Sequence, residues 1–160
     1  MKSGVHCEGA PPTQGRPPAP EQEVFLRILR SADVLTTGLA GVLKKSKLSP
    51  TQYNVLRILR GAGEEGMPCG KIAQRMITHD PDMTRLLDRL EKRKVIERWR
   101  DAIDRRVVRA RITPAGLRLV LKLDDPVAQL HRRQLGHLSA SELKSLPALL
   151  AKVLQRQERT

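Results

Sequence analysis

The chain has 160 residues, a formal net charge of +13 and only three aromatic side chains, Phe25, Tyr53 and Trp99. This length fits one domain, or one domain with an arm used in assembly. The positive charge indicates a polyanionic partner, with nucleic acid as the default and a membrane surface as the alternative. No apolar run reaches the roughly 18 residues of a membrane-spanning helix, and three scattered aromatics make no stacking platform for single strands, so duplex DNA is the expected partner.

The first segment, residues 1–20, contains five prolines and three glycines, which predicts a disordered tail. The stretch after Cys7 is polar and lacks the apolar region of a secretory signal, so a cytoplasmic location with reduced cysteines is expected. From Glu21 to Lys47 apolar residues recur at steps of three and four, which predicts an amphipathic helix.

Three further helices are predicted in the middle of the chain. Ser49 and Gln52 form a capping box around Pro50, and this helix should stop near Gly61 and Gly63. A short helix should follow over residues 67–77. The next helix, predicted over residues 81–94, has Asp80 as its cap, Pro81 in its first turn and a leucine stripe on one face.

Two strand-like segments follow, residues 95–100 and 107–113, on either side of a charged turn at residues 101–106. A long helix should begin at Pro114, and Pro126 is expected to kink it or end it. A last helix, capped by Ser139 and Glu142, should run to about Gln157.

The first and last predicted helices each carry an apolar face, and a small domain cannot hide both stripes internally. Packing them against the same helices of a second copy would cover them. The sequence therefore predicts an obligate homodimer with a two-fold axis.

The chain resembles the MarR family of winged helix-turn-helix transcriptional regulators, from about Glu21 onward and most strongly from Leu48 to Gly116. The segments that carry the resemblance are LSPTQYNVLRIL, GKIAQRM, PDMTRLLDRLEKRKVIER and DAIDRRVVRARITPAG. Lys94-Val95 departs from the Gly-Leu that is common in the family, and Lys94 is expected to alter the wing angle slightly.

The expected fold class is mainly α with a small β-hairpin: a winged helix-turn-helix core flanked by N- and C-terminal dimerisation helices. The predicted organisation is a tail at 1–20, a dimerisation helix at 21–47, the DNA-binding domain at 48–113, and C-terminal helices at 114–160 that complete the dimerisation region. The resemblance implies that the 81–94 helix lies in the major groove and that the 101–106 hairpin reaches the minor groove of a palindromic site.

The candidate DNA-binding residues lie in three places: the turn before the recognition helix, the start and outer face of that helix, and the wing. Arg85 suits a bidentate contact to guanine, and Arg106, braced by an ion pair with Asp104, suits a narrow minor groove. Alternatively, Arg85 and Arg89 form a solvated helix face paired with Asp82 or Asp88. The full set is Thr78, His79, Asp82, Met83, Thr84, Arg85, Arg89, Asp104, Arg105 and Arg106.

A small-molecule effector is the further partner that the resemblance implies, since many members loosen from DNA when one binds. The alternative is a simple packed junction between elements. The residues expected to line a crevice are Leu29, Ala32, Leu35, Thr36, Leu56, Leu117 and Leu121.

Catalytic and metal chemistry find no support in the sequence. There is no nucleophile motif, no phosphate-binding loop and no histidine or cysteine spacing suited to zinc, so neither an enzyme nor a cofactor is predicted. Cys69 is expected to be a structural cysteine. The predicted function is a dimeric, ligand-responsive, sequence-specific repressor. The alternatives are a nonspecific architectural DNA-binding protein, or an interaction module for acidic proteins.

Overall fold

The computed structural model describes residues 19–78 and 81–155. Within those ranges the chain forms six α-helices and a small sheet. The helices are α1 (Pro20–Leu43), α2 (Pro50–Ala62), α3 (Cys69–Arg75), α4 (Met83–Lys92), α5 (Pro114–Leu135) and α6 (Ala140–Gln155); the strands are β1 (Met67–Pro68), β2 (Ile96–Arg100) and β3 (Val108–Ile112). The predicted mainly α class is confirmed, while the predicted tail lies almost wholly outside the described residues.

The chain divides into two units, residues 1–33 and residues 34–160. The described part of the first unit is the beginning of α1, where Arg27 pairs with Glu23 one turn earlier at 2.6 Å. Phe25 and Leu29 in this segment are exposed, and Ile28 is half-buried. The second unit contains the rest of the helices and the whole sheet.

Helix starts follow from local side-chain caps. The Ser49 hydroxyl accepts from the backbone N–H of Gln52 at 3.1 Å, and the Gln52 side chain accepts from the N–H of Ser49 at 3.0 Å. The reciprocal pair Ser139 and Glu142 starts α6 in the same way. Both predicted capping boxes are therefore confirmed.

The sheet is antiparallel, with strand order β1-β3-β2. Ile96 pairs with Ile112, and Arg98 with Ala110, along the hairpin of β2 and β3. On the other side of β3, Met67 pairs with the same Ala110. Met67 was predicted inside a helix, and that prediction is wrong because these residues pair with a strand more than 40 positions away.

Several predicted boundaries also shift. Helix α1 ends at Leu43 and is followed by a 3-10 helix at Lys44–Ser46, so it does not reach Lys47. Helix α3 ends at Arg75 and does not include Ile77, which is exposed. Helix α5 does not end at Pro126 but continues through it to Leu135.

The core lies between the helices of the second unit and the sheet, and it is built almost entirely from aliphatic side chains. Burial of each such side chain stabilises the fold by about 1.5–3 kcal/mol. The buried residues are Leu43, Leu48, Tyr53, Val55, Leu56, Leu59, Met67, Ile72, Leu86, Leu87, Leu90, Val95, Ile96, Ala110, Val120, Leu123, Val127 and Leu130. Across the described residues, no helix combines the length and apolarity needed to cross a bilayer.

Candidate nucleic-acid interface

Helix α4 has one apolar and one polar face. Leu86, Leu87 and Leu90 are buried, so residues on the opposite side face solvent. Thr84 and Arg85 are exposed in the first turn, with Arg89 one turn later. The apolar stripe therefore fixes which side chains a partner would meet.

The start of α4 differs from the prediction. Asp82, rather than Asp80, is the N-cap, and its side chain accepts from the backbone N–H of Arg85 at 3.2 Å. Met83 is half-buried and packs against the core instead of projecting outward. Pro81 lies in the preceding turn, Thr78 is exposed before it, and His79 and Asp80 are outside the described residues.

Arg85 combines the two interpretations that the sequence left open. Its guanidinium pairs with the Asp82 carboxylate at 3.2 Å, yet its side chain is 76% exposed. A pair this exposed stabilises the fold by less than about 1 kcal/mol, so a stronger anion can displace it. Arg89 is exposed and has no ion-pair partner among the described residues.

The hairpin turn at residues 101–106 is held by Asp101. One carboxylate oxygen accepts from the N–H groups of Ile103 at 2.9 Å and Asp104 at 3.2 Å, and the other pairs with Arg109 at 3.2 Å. The two backbone hydrogen bonds, followed by the Arg109 contact, hold the pKa of Asp101 below its usual value. The turn is thus organised before any partner binds.

The predicted ion pair between Asp104 and the Arg106 guanidinium is wrong. The Asp104 carboxylate instead accepts from the backbone N–H of Arg106 at 3.0 Å. The Arg105 carbonyl accepts from the Arg100 guanidinium at 2.8 Å. The side chains of Arg105 and Arg106 are exposed, without an ion-pair partner in the described chain.

Helix α4 and the hairpin are joined by Arg98, a residue that sequence reasoning missed. Its guanidinium binds the carboxylate of Glu91 at 2.6 Å and that of Asp88 as well. Hydrogen bonding to Glu91 is the main reason that the pKa of Arg98 is raised. The available signal was the position of Arg98 two residues after the buried Ile96, which places it on the same face of β2.

The C-terminal end of α4 is held by a second missed residue, Arg93. Its guanidinium donates to the backbone carbonyls of Lys47 at 2.6 Å and Ser46 at 3.0 Å. These carbonyls lie at the end of the 3-10 helix that follows α1. The orientation of α4 is therefore fixed at both the hairpin and the α1–α2 connection.

The predicted effector residues differ in their burial. Leu56 is fully buried in the core, whereas Leu117 is 37% and Leu121 is 54% exposed on α5. Leu35 is half-buried and Thr36 exposed on α1, and Leu29 and Ala32 belong to the first unit and are exposed.

A separate cavity of about 350 Å³ lies between the end of α1 and the middle of α5. Lys45, Lys122 and Arg133 line it together with Leu123 and Pro126. No acidic residue lines this cavity, and none of the predicted effector residues of the second unit does. A lining with three cationic and several apolar side chains suits a small organic anion.

Among the described residues, neither a reactive thiol nor a metal site is indicated. Burial raises the pKa of the Cys69 thiol, which favours its protonated form. In the part of the chain that the structure describes, no group of three or more His, Cys, Asp or Glu residues is placed to hold a metal ion.

Comparison with protein families gives a match to a model described as the MarR family over residues 48–108. The uncharacterized HTH-type transcriptional regulator YsmB of Bacillus subtilis (strain 168) is 33% identical over 79 residues, which are 49% of this chain and 53% of YsmB. That match therefore spans about half the length of this relative.

Solved structures match over a longer stretch. A MarR transcription factor from Planctomyces limnophilus is 42% identical, with a TM-score of 0.66 over 85% of this chain and 98% of its own. A MarR mutant from E. coli complexed with operator DNA is 26% identical, with a TM-score of 0.75 over 82% and 94%. BpsR of Bordetella bronchiseptica, whose DNA binding is regulated by 6-hydroxynicotinic acid, is 26% identical, with a TM-score of 0.72 over 82% and 98%.

Proposed function

The chain belongs to the MarR family of transcriptional regulators, and from this premise we propose that it is a homodimeric repressor that binds a palindromic operator and releases it when a small molecule binds. The observation that carries the proposal is the pairing of two exposed cationic elements on one rigid support. Arg85 and Arg89 on α4, and Arg105 and Arg106 on the hairpin, are exposed, while Arg98 ties α4 to β2.

In the proposed complex the N-terminal part of α4 lies in the major groove. Arg85 exchanges the Asp82 carboxylate for a base edge, where its forked guanidinium matches the O6 and N7 acceptors of guanine. Thr84, beside it, contacts a thymine methyl group or a phosphate. The hairpin reaches the adjacent minor groove, where Arg106 meets the enhanced negative potential of a narrow A·T segment.

The dimer is supported by α6, in which all residues are exposed although the helix carries a leucine-rich face. A helix with such a face is expected to bury it against a partner. We propose that residues 114–160 and the helix within residues 21–47 form the dimerisation region around the DNA-binding domain at 48–113. The large exposed apolar residues of α6 are Leu143, Leu146, Leu149, Leu150, Val153 and Leu154.

The release step is assigned to the cavity lined by Lys45, Lys122 and Arg133. Its charge favours an organic anion, and regulation of BpsR by 6-hydroxynicotinic acid is a precedent in a structural relative. Displacement of bound DNA by small organic acids would measure this step. Lys122→Ala should weaken the response without weakening DNA binding.

Selection of bound duplexes from a random pool, followed by footprinting, tests the main proposal under cytoplasmic salt conditions. We expect one palindrome, bound by a dimer at least about 1000-fold more tightly than random duplex. Protection without a preferred site would favour the architectural alternative instead. No DNA affinity even at low salt would favour an interaction module for acidic proteins.

A further inference from the structure

Ile103 occupies an unusual position, the tip of the hairpin between β2 and β3. Its side chain is 98% exposed, more than any other large apolar side chain in the described residues. Turn tips favour Gly, Asn, Asp and Ser, and a branched aliphatic residue gains nothing for folding when it is fully solvated. A single exposed apolar residue is ordinary on a protein surface, but Ile103 differs because hydrogen bonds to Asp101 hold its turn in place.

The backbone at Ile103 is fixed by its neighbours. Its N–H donates to the Asp101 carboxylate at 2.9 Å, and the N–H of Asp104 donates to the same oxygen. Asp101 is in turn paired with Arg109 on β3. Because the turn is already ordered, a partner that contacts Ile103 would lose little affinity to loop ordering.

The charged side chains around Ile103 differ in their hydrogen bonds. The Asp101 and Asp104 carboxylates bond backbone N–H groups of the turn itself. The exposed side chains without such a bond are the apolar Ala102 and Ile103 and the cationic Arg105 and Arg106. The tip therefore presents an exposed apolar side chain close in sequence to two positive charges.

We propose that Ile103 is a specificity-determining residue that inserts into the minor groove at an A·T step while Arg105 and Arg106 contact the flanking walls. The inference rests on the proposed function, which brings the hairpin to duplex DNA. Apolar side chains act as wedges between base steps in the minor groove. The exocyclic amino group of guanine projects from the floor of that groove and would obstruct an isoleucine there.

The protein arm of the test uses a duplex selected by the parent chain and compares Ile103→Val, Ile103→Ser and Arg106→Ala over a range of salt concentrations. Ile103→Ser should weaken binding about tenfold through loss of apolar burial, and Ile103→Val should fall between it and the parent. The salt slope of Ile103→Ser should equal that of the parent, because an uncharged contact releases no counterions. Arg106→Ala should instead reduce the slope by about one.

The second experiment changes the DNA. In the A·T segments that the hairpin is proposed to enter, adenine is replaced by 2,6-diaminopurine, which adds an amino group to the minor groove. The parent should lose affinity on this duplex, and Ile103→Ser should lose clearly less. Unfolding curves of the variants should coincide with that of the parent, because Ile103 is almost fully exposed.

The outcomes separate the two claims. Parent-like affinity of Ile103→Ser, or an equal diaminopurine penalty in both proteins, would overturn the role of Ile103 while leaving the proposed regulator intact. A parent chain that binds no duplex would overturn both. A graded loss from Ile to Val to Ser with an unchanged salt slope supports the inference.

Discussion

Glu91 on α4 binds Arg98 on β2 through both the backbone and the side chain of the arginine. One carboxylate oxygen accepts from the Arg98 backbone N–H at 3.1 Å, and the other accepts from the guanidinium at 3.0 and 2.6 Å. Asp88, one turn earlier on α4, binds the same guanidinium. These contacts tie the helix to the hairpin, as the proposed entry of the two elements into neighbouring grooves requires.

Replacing Arg98 by alanine should therefore cost both stability and DNA affinity. The substitution removes these contacts and leaves the carboxylates of Asp88 and Glu91 without their shared cation. The free energy of unfolding, measured in urea, should therefore fall by about 2 kcal/mol. Arg89→Ala, on the exposed face of the same helix, should change stability by less than about 0.5 kcal/mol. Equal unfolding midpoints for the two variants would show that the contacts of Arg98 with Asp88 and Glu91 do not stabilise the fold.

Lys94, which follows α4, adopts a left-handed backbone conformation with φ of +57°. Both its backbone groups form hydrogen bonds, since its N–H donates to the backbone carbonyl of Glu91 and its own carbonyl accepts from the Thr113 hydroxyl. Lys94→Gly should stabilise the fold by about 0.5–1 kcal/mol, because glycine adopts this conformation without steric cost. Arg89→Gly, inside α4, should destabilise the fold by about 1 kcal/mol. Thermal unfolding that moves both variants in the same direction would contradict the assignment.

Gly116 marks the closest approach of α5 to the segment after α4. A Cβ there would lie 2.1 Å from the backbone carbonyl of Val95 and 2.8 Å from Ile112. Because a backbone atom cannot move away cheaply, Gly116→Ala should destabilise the fold by about 1–3 kcal/mol. Gly61→Ala, in α2 with nothing within 4 Å, should stabilise it by about 0.5–1 kcal/mol. Chemical denaturation of the two variants measures the contrast.

Asp101 makes the order of the hairpin depend on pH. Its folded-state pKa lies below the ordinary value of 3.8, so its contribution is present above pH 3.8 and is lost as the pH falls through the lowered pKa. The amide resonances of Ile103 and Asp104 should follow this transition, with a midpoint below 3.8, and Asp101→Asn should abolish it. A midpoint at or above 3.8 would mean that the carboxylate does not hold the turn.

Arg85 and Arg106 should differ in how their loss affects DNA binding. Arg85→Ala should cost about 1–3 kcal/mol on the selected operator and relax the preference at one base pair. Arg106→Ala should weaken binding more evenly across sequences. Titrations against the operator and point-substituted duplexes distinguish the two patterns. If both variants bind like the parent, the interface is elsewhere.

Local signals predicted much of the fold. The capping pairs at Ser49 and Ser139 operate within four residues, so the sequence alone contains them. The sequence alone did not identify Asp82 as the cap of α4, because Asp80 and Asp82 are both aspartates and aspartate is favoured at that position. Strand β1 was missed because two residues carry no periodicity, and their pairing depends on β3.

The candidate site was predicted only in its exposed parts. The leucine stripe of α4 identifies the outward-facing Thr84 and Arg85. The roles of Arg93 and Arg98 come from carbonyls and carboxylates that reach them only after folding. The Asp104 prediction failed for a related reason, since a short side chain in a turn bonds the nearest backbone N–H before it reaches a distant guanidinium.

The only tryptophan of the chain, Trp99, lies in β2 of the hairpin, and the Arg111 guanidinium sits 5.4 Å from its ring centre. Indole fluorescence from this protein therefore reports on a single element, with no background from other indoles. A change in emission on mixing with duplex would follow engagement of that element in real time, without a dye or an engineered probe.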